Sequence, residues 1–468
     1  MADITIQRVV NAQGHPVEIK AGNAAADAFG RLRVSEPFTL FDSSFRYGDN
    51  GKWNTLVAGS GTSTFNQYQG LMQLGVTTAS GDKVYRETTK VFSYQPGKSL
   101  LVMNTFVMAP KQKNQRQRIG YFSGDNGIFV EQNEDGEPEF VLRSIVNTFE
   151  IGTPVTTSVI VPANWNAFST ASEVEINDGI TVTLLDNATW FIGTTVPESY
   201  IDTKVKQSNW DYDKLNGKGK STYTLDLTKV QIFWADFEWL GAGTVRVGFV
   251  INGKFIHCHS FHHANKIDST YITTASLPCR YEIENLDTTT TSGILKQICT
   301  TVLSEGGYET RGDGHSISTP LASPYSLSAT GVKYPIISLR LASGELDGVA
   351  LPTHLEMLGI TNNTNYKWSL VQGGTTSGGT WATGTTHTSV EYNLSGSSFT
   401  QGSGVTIANG FTAGSNQSTT IASLNRQDIF KYQLERNSFT STPFELTFVV
   451  EVDSSSSEAF ASINWEEV

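Results

Sequence analysis

The densest cluster of side chains able to bind a metal ion is a run of histidines at residues 257–263. It holds four of the eight histidines of the chain. In an extended strand, His257 and His259 point to one face with their Cβ atoms about 7 Å apart, which suits two ligands of one zinc ion. No third ligand follows at a suitable spacing, and Cys258 points to the opposite face. The run therefore favours imidazoles that are hydrogen-bonded at a sheet edge or subunit interface, and His257 and His259 are only weak metal candidates.

A second cluster offers oxygen ligands. Asp211, Asp213 and the pair Asn216-Gly217 supply the carboxylate and amide oxygens that calcium prefers. Their spacing departs from the EF-hand pattern, and the flanking sequence does not predict helices. A turn between strands is the better interpretation, so Asp211 and Asp213 are again weak candidates. We expect neither a metal ion nor a cofactor.

Basic residues are concentrated at Lys111, Lys113, Arg116 and Arg118. At strand spacing Arg116 and Arg118 share a face, where they could contact the acidic surface of a neighbouring subunit. Nucleic acid is the weaker alternative, because no aromatic residues interleave with these cations and the chain carries a net charge of −12. The run predicts an assembly interface and no specific nucleic-acid binding.

Motifs for catalysis are absent from the sequence. It contains no G-x-S-x-G elbow, no H-E-x-x-H pair and no P-loop pattern. Glycan cleavage would need two carboxylates about 5 to 9.5 Å apart in a groove, which a sequence does not reveal. The three cysteines form neither a CxxC motif nor an even disulfide set. We therefore expect a protein that is not an enzyme.

The elements that would position these residues read as short β-strands. Apolar and polar residues alternate between turn residues, most clearly from Thr222 to Phe261. Strands are predicted from Tyr223 and Val230 onward, and the pair Asn252-Gly253 predicts a hairpin between two further strands. Val245, Val247, Phe249 and Ile251 share one face, which should face the core.

The composition divides the chain into three parts. Residues 1–35 lack any period and predict an extended arm with Arg31 and Arg33, which we assign to assembly. Residues 36–330 predict a jelly-roll-like β-sandwich. Residues 331–468 predict a smaller, outward-facing β-sandwich, because residues 373–420 hold 30 Gly, Ser or Thr among 48 and Glu391 as their only charge. Trp381 and Tyr392 in this part are candidates for glycan contact.

The first residues do not form a secretory signal, and no apolar run is long enough to span a membrane. We expect a chain that is made in a cytoplasm and has no membrane partner.

Several segments in their order resemble a family of virion structural proteins from tailed bacteriophages. The resemblance covers roughly residues 27 to 287. It is carried by Arg31-Leu-Arg-Val-Ser-Glu-Pro-Phe-Thr-Leu-Phe-Asp42, Gln115-Arg-Gln-Arg-Ile-Gly-Tyr-Phe-Ser-Gly-Asp-Asn-Gly-Ile-Phe-Val-Glu131, Trp210-Asp-Tyr-Asp-Lys-Leu-Asn-Gly217, Thr224-Leu-Asp-Leu-Thr-Lys-Val-Gln-Ile-Phe-Trp234, Phe237-Glu-Trp-Leu-Gly-Ala-Gly-Thr-Val-Arg-Val-Gly-Phe249 and Leu277-Pro-Cys-Arg-Tyr-Glu-Ile-Glu-Asn285.

This resemblance implies a component of the virion, made in the host cytoplasm. Such a chain would be a fibre, baseplate or capsid-surface protein that binds other virion proteins through its arm. We also expect it to bind itself, as a trimer, because a glycine-rich all-β chain of this size leaves sheet edges and apolar strands to cover. Contact with a host-surface glycan is a further expectation. The alternatives are a glycan-degrading tail-spike enzyme and a plain shell or decoration subunit without a ligand. A repeating parallel-coil pattern would favour the spike, and the sequence does not display one.

Overall fold

A computed structural model describes residues 37–146, 148–151, 153–161, 166–169, 173–185, 189–192, 200–309, 311–383, 387–414, 420–423 and 429–468. The predicted arm, with Arg31 and Arg33, lies outside the described residues. The described chain is built of β-strands and short 3-10 helices (Gln207–Asn209, Ile429–Lys431 and Ser438–Thr440), without an α-helix. No helix in these ranges is long and apolar enough to cross a membrane.

The strands fall into three consecutive groups. The first comprises β1 (Phe38–Ser44), β2 (Trp53–Ala58), β3 (Thr62–Asn66), β4 (Leu71–Val76), β5 (Lys83–Thr88), β6 (Phe92–Ser93), β7 (Ser99–Val107), β8 (Gln115–Phe122), β9 (Gly127–Gln132) and β10 (Pro138–Ile145). The second comprises β11 (Thr148–Glu150), β12 (Val159–Val161), β13 (Asn166–Ser169), β14 (Val182–Leu184) and β15 (Thr189–Ile192).

The third group contains the strands that complete the first of two β-sandwiches and the strands that form the second. Those that complete the first sandwich are β16 (Tyr200–Lys206), β17 (Gln231–Phe237), β18 (Val245–Ile251), β19 (Lys254–Phe261), β20 (Ser276–Leu277), β21 (Cys279–Asn285) and β22 (Gly293–Glu305). The others are β23 (Asp313–Ser318), β24 (Tyr325–Leu327), β25 (Tyr334–Leu341), β26 (Ala350–Gly359), β27 (Asn365–Gln372), β28 (Thr376–Ser377), β29 (Ala382–Thr383), β30 (Val390–Asn393), β31 (Ser398–Phe399), β32 (Val405–Ala413), β33 (Thr420–Ser423), β34 (Arg436–Asn437), β35 (Thr442–Pro443), β36 (Leu446–Val452) and β37 (Ser457–Glu467).

Two large antiparallel sheets form the central sandwich. One has the order β19-β18-β17-β7-β22-β4-β3, with β1 also paired to β22, and the other has the order β16-β10-β9-β8-β21-β5-β2. The chain crosses repeatedly between them, as in a jelly roll. Side chains that alternate inward from both sheets make one core, in which Val102, Phe233, Val247 and Tyr281 are fully buried. The predicted all-β, jelly-roll-like class is confirmed.

Between β10 and β16 the chain forms a short parallel β-coil, a feature that favours the spike alternative and that the sequence did not display. Its parallel strands pair Phe149 with Ala167 and Ala167 with Trp190, so each coil spans about 20 residues. A second row pairs β12 with β14, also in parallel. Ile151, Val155, Val161 and other apolar residues fill the space between the rows. We call the described residues between 148 and 192 the coil insertion.

The second sandwich begins earlier than the predicted boundary at 330/331. β23 and β24 both pair with β37, the last strand of the chain, while the first sandwich ends with β22 at Glu305. The sheet orders are β23-β37-β26-β33 and β29-β30-β25-β36-β27-β32. The core between them includes Ile337, Leu355, Phe448 and Ile463.

The region from Thr222 to Phe261 mostly follows the sequence prediction. β18 and β19 form the expected hairpin, and Asn252 and Gly253 take positive φ angles of 51° and 72°. Val245, Val247 and Phe249 are fully buried, and Ile251 is partly buried against the same core. The strand predicted from Tyr223 is wrong, because this segment makes only a single bridge, between Asn216 and Thr224.

Candidate functional site

The outer face of the seven-stranded sheet carries oppositely charged residues on neighbouring strands. On β8, Ile119 and Tyr121 point into the core, so Arg118 points outward. The register places Arg118 opposite Glu131 of β9 on one side and opposite Glu282 of β21 on the other. Oppositely charged residues that lie directly across from one another stabilise a sheet.

These pairs belong to one continuous chain of ionic contacts, which we call the charge ladder. Consecutive members are joined by N–O distances of 2.6 to 3.1 Å. All members between the two ends are 10% exposed or less, whereas the ends are 34% and 52% exposed. In order, the ladder consists of Lys204, Glu131, Arg118, Glu282, Arg280, Glu87, Arg436 and Asp347.

The neighbouring charges keep the buried acids of the ladder ionised. Burial alone would raise the pKa of Glu282, but Arg280 and Arg118 outweigh it and hold this pKa below its ordinary value. The pKa of Glu131 is lowered in the same way, since Arg118 and Lys204 together overcome the effect of burial. Burial would lower the pKa of Arg118, yet the surrounding carboxylates raise it. Every buried charge is thus compensated by a partner of opposite sign.

The ladder does not supply the acid that glycan cleavage requires. A glycosidase needs a carboxylic acid that keeps its proton near neutral pH. Glu131 and Glu282 are instead held as carboxylates in ion pairs. Burial raises the pKa of Glu139, but this side chain is 3% exposed and accepts a hydrogen bond of 2.6 Å from Asn133 Nδ2. These carboxylates therefore hold the sheet together.

The two arginines predicted for an assembly interface are bound within their own chain. The expectation that Arg116 and Arg118 share a face is correct. Arg116 forms an ion pair of 2.5 Å with Glu284 and is 21% exposed, while Arg118 is 4% exposed. Arg118 is therefore closed to another subunit, because its side chain is buried and its guanidinium group is paired with Glu131 and Glu282.

The ladder continues from the central sandwich into the second one. Arg436 of β34 contacts Glu87 at 2.9 Å and Asp347 at 3.1 Å, and its Nη1 donates to the Thr88 carbonyl at 2.7 Å. Ser438 Oγ donates to Glu87 at 2.5 Å. We call residues 429–443 the strap, because this segment of the second sandwich lies against β2 and β5 of the first.

Further contacts surround the strap. Gln433 Nε2 donates to the Val91 carbonyl at 2.9 Å, and Lys90 lies 3.4 Å from Glu435. A small apolar cluster joins Val91 of the first sandwich to Val349 and Leu351 of the second. The two sandwiches are thus connected by buried polar and apolar contacts.

The histidine run lies on β19, where a β-bulge at Cys258 interrupts the assumed alternation. His257 Nε2 lies 3.0 Å from the His259 carbonyl, and its ring stacks on Tyr212 at 4.0 Å. Burial is the main cause that lowers the pKa of His257 to about 4, and the positive charge of Arg246 adds to it. Cys258 is buried in the core, which raises the pKa of its thiol.

The two predicted aspartates have different roles. Asp211 Oδ2 lies 2.8 Å from His259 Nδ1. Asp213 accepts hydrogen bonds from the backbone N–H groups of Leu215 (2.9 Å) and Ser221 (2.8 Å), and so shapes its own loop. In the described part of the chain, no three His, Cys, Asp or Glu side chains converge on a point where a metal could bind.

The aromatic residues proposed for glycan contact lie beside one another in the second sandwich. β29, which follows Trp381, pairs with β30, so Ala382 lies opposite Tyr392. The guanidinium group of Arg340 covers one face of the Trp381 ring at 4.0 Å and donates to Glu391 at 2.9 Å. Tyr392 packs against the second core. One face of Trp381 is thus already occupied.

More exposed aromatic rings, which the sequence reasoning missed, lie on the central sandwich. Tyr47 is 97% exposed after β1, and Tyr68 is 91% exposed in the turn between β3 and β4. Their loops adjoin, since a Cβ atom built on Gly70 would lie 3.5 Å from the Phe45 carbonyl oxygen. Both tyrosines lie in turns rather than in alternating segments, so periodicity gave no signal for them.

Comparison with known proteins identifies no family. No family model matches the chain, and no curated protein matches it. Among solved structures, similar ones include the carbohydrate recognition domain of Emp47p (8% identity, TM-score 0.29, 58% of this chain and 98% of that chain). A protein of unknown function, SO2946, from Shewanella oneidensis is also similar (10% identity, TM-score 0.30, 62% of this chain and 94% of that chain). So is a glycosyl hydrolase family protein from Mycobacterium fortuitum (6% identity, TM-score 0.33, 56% of this chain and 99% of that chain). These identities and TM-scores are too low to indicate a function.

Proposed function

We propose that this chain is a structural protein of a tailed-bacteriophage particle, as a fibre, baseplate or capsid-surface component. The observation that carries the proposal is the charge ladder, which runs across one sheet and through the strap into the second sandwich. A buried ionic network with every charge compensated resists separation of its elements, because removing any member leaves a buried charge without a partner. Such a stiff unit suits a particle that must stay folded outside the cell.

The segment resemblance in the central sandwich supports the same proposal. Its blocks coincide with elements of the ladder, since Gln115–Phe122 is β8 and Cys279–Asn285 is β21. These strands contribute Arg118, Arg280 and Glu282. The quoted blocks therefore supply the charged residues on which the stiffness of the sheet depends.

In this proposal the second sandwich faces outward and offers surface for contact with the host. Residues 392–425 contain no charged side chain, and Val405 and Phe411 of the outermost strand β32 are 67% and 72% exposed. Contact with a host glycan at Trp381 and Tyr392 remains part of the proposal. It would use the face of Trp381 that Arg340 does not cover.

The proposal is tested by the protein content of particles produced from the genome that encodes this chain. Particles purified by density gradient should contain the chain in many copies, as measured by quantitative mass spectrometry. Deleting its gene should give particles that lack a defined substructure in electron micrographs. A chain found in the lysate but absent from purified particles would overturn the proposal.

A further inference from the structure

Two surfaces of opposite charge lie at opposite ends of one strand pair. β10 and β16 pair from Glu139 with Lys206 at one end to Ile145 with Tyr200 at the other. The coil insertion lies in the sequence between Ile145 and Tyr200, which pair with each other at one end. The chain that follows Lys206 forms a lysine-rich loop at the other end. A strand of this length spans about 20 Å. The two surfaces of one copy are therefore too far apart along this strand pair to contact each other.

The coil insertion presents acidic and aliphatic side chains. Residues 144–203 contain no lysine or arginine. Glu173, Glu175 and Asp178 are exposed along one described segment. Aliphatic side chains are exposed on the same coils, at 63% for Ile160, 44% for Ile176, 46% for Leu184 and 48% for Leu185.

The lysine tip, which we define as residues 214–220 with the turn at 251–254, presents cations. Residues 214–220 hold three lysines and no acid, and Lys218 and Lys220 are exposed. Asn252 Nδ2 donates to Tyr223 Oη at 3.2 Å, which holds the turn and its exposed Lys254 beside the loop.

Apolar surface accompanies the cations of the lysine tip. Tyr212 is 51% exposed just before the loop, and Phe255 is 37% exposed just after the turn. The coil insertion and the lysine tip as defined therefore each combine apolar side chains with charges of one sign, while the exposed carboxylates of Asp211 and Glu137 lie at the same end of the strand pair as the lysine tip. This is the composition of an interface with an apolar centre and a polar rim.

We propose that the coil insertion of one copy binds the lysine tip of a second copy. The partner is this chain because the same molecule carries both complementary surfaces, at ends that face away from each other. Such a contact joins two different surfaces, and it closes into a ring when the rotation between copies allows. It would also cover coils that lack a neighbouring repeat, as the ends of solenoids require. The inference rests on the self-association contained in the proposed function and specifies where it occurs.

Charge reversal at each surface tests the contact. The variants are K218E/K220E at the lysine tip and E173K/E175K at the coil insertion, both on exposed side chains. Each should raise the dissociation constant of self-association at least about tenfold in sedimentation-velocity measurements, because attraction becomes repulsion. Raising NaCl from about 50 to about 500 mM should weaken the wild-type association, since exposed charges are screened.

Mixing the two variants provides the decisive outcome. Each variant alone should be shifted toward monomer, and an equimolar mixture should associate again, because the intact lysine tip of one meets the intact coil of the other. The control K266E/R311E makes the same change in net charge as K218E/K220E, at exposed cations outside both surfaces, and it should associate as wild type does.

The outcomes separate this contact from the proposed function. Oligomers that persist in both variants, or a mixture that stays monomeric, would overturn this contact and leave self-association at another surface. A wild-type chain that is monomeric at micromolar concentration would overturn both.

Discussion

At the scale of single residues, His257 makes stability depend on pH. Its pKa falls from 6.5 to about 4 on folding, chiefly through burial. Between pH 6.5 and about pH 4 the unfolded chain therefore binds more protons than the folded chain. As the pH falls through this range, the free energy of unfolding decreases. Burial lowers the pKa of His259 and His263 as well, which adds to the same trend.

We expect His257→Gln to flatten this acid dependence. Urea midpoints measured from pH 7 to pH 4 should fall less steeply for the variant than for wild type. His387→Gln, at an exposed histidine outside the run, is the control and should leave the slope unchanged. Equal slopes for wild type and His257→Gln would contradict the assignment.

Arg118 is the residue on which the ladder depends most. Arg118→Met leaves Glu131 and Glu282 buried with one cation fewer, so we expect a loss of about 3 to 5 kcal/mol in the free energy of unfolding. Urea denaturation measures it. Arg311→Met, at an arginine that is 80% exposed and paired with Glu309, should cost less than about 1 kcal/mol. Similar losses in both variants would show that the ladder is not energetically important.

Arg118 shows which part of the charge ladder can be predicted from the sequence. Alternation along β8 correctly places Arg116 and Arg118 on one face. It does not reveal that Arg118 is buried, because Glu131 and Glu282 lie 13 and 164 positions away in the chain. Cross-strand pairing brings them together, and a single sequence carries no record of that pairing. Alternation alone also fails to predict the orientation of the histidines, because the bulge at Cys258 depends on the pairing with the neighbouring strand.

At the scale of elements, the strap should determine whether the sandwiches unfold together. Arg436→Met removes the ladder's contact with Glu87 and Asp347 and the donor to Thr88. We expect one calorimetric transition in wild type and two in the variant, with the earlier transition lowered by several degrees. Arg340→Met, which breaks the pair with Glu391 inside the second sandwich, should keep a single transition. Two transitions already present in wild type would contradict the coupling.

Local signals predict some elements and miss others for physical reasons. The hairpin at Asn252-Gly253 follows from the positive φ angles that this turn requires. The coil insertion was missed because its described strands are three or four residues long and its few coils repeat at unequal spacing. The early start of the second sandwich was missed because β23 pairs with the last strand of the chain.

At the scale of the whole molecule, residues 1–35 are expected to attach the two sandwiches to the particle. A chain lacking them should keep the circular dichroism spectrum of a β-protein and the wild-type unfolding midpoint, yet fail to enter particles in a complementation assay. The described residues from Phe38 onward already form a packed core in each sandwich. Normal incorporation of the truncated chain would contradict this role.

The central claim is that this chain is a repeated, stiff building unit of a phage particle. A cryo-electron microscopy reconstruction of particles from the encoding genome tests it most directly. The account predicts density that fits both sandwiches in the arrangement set by the strap, in symmetry-related copies. A particle whose complete density is explained by other chains would contradict it.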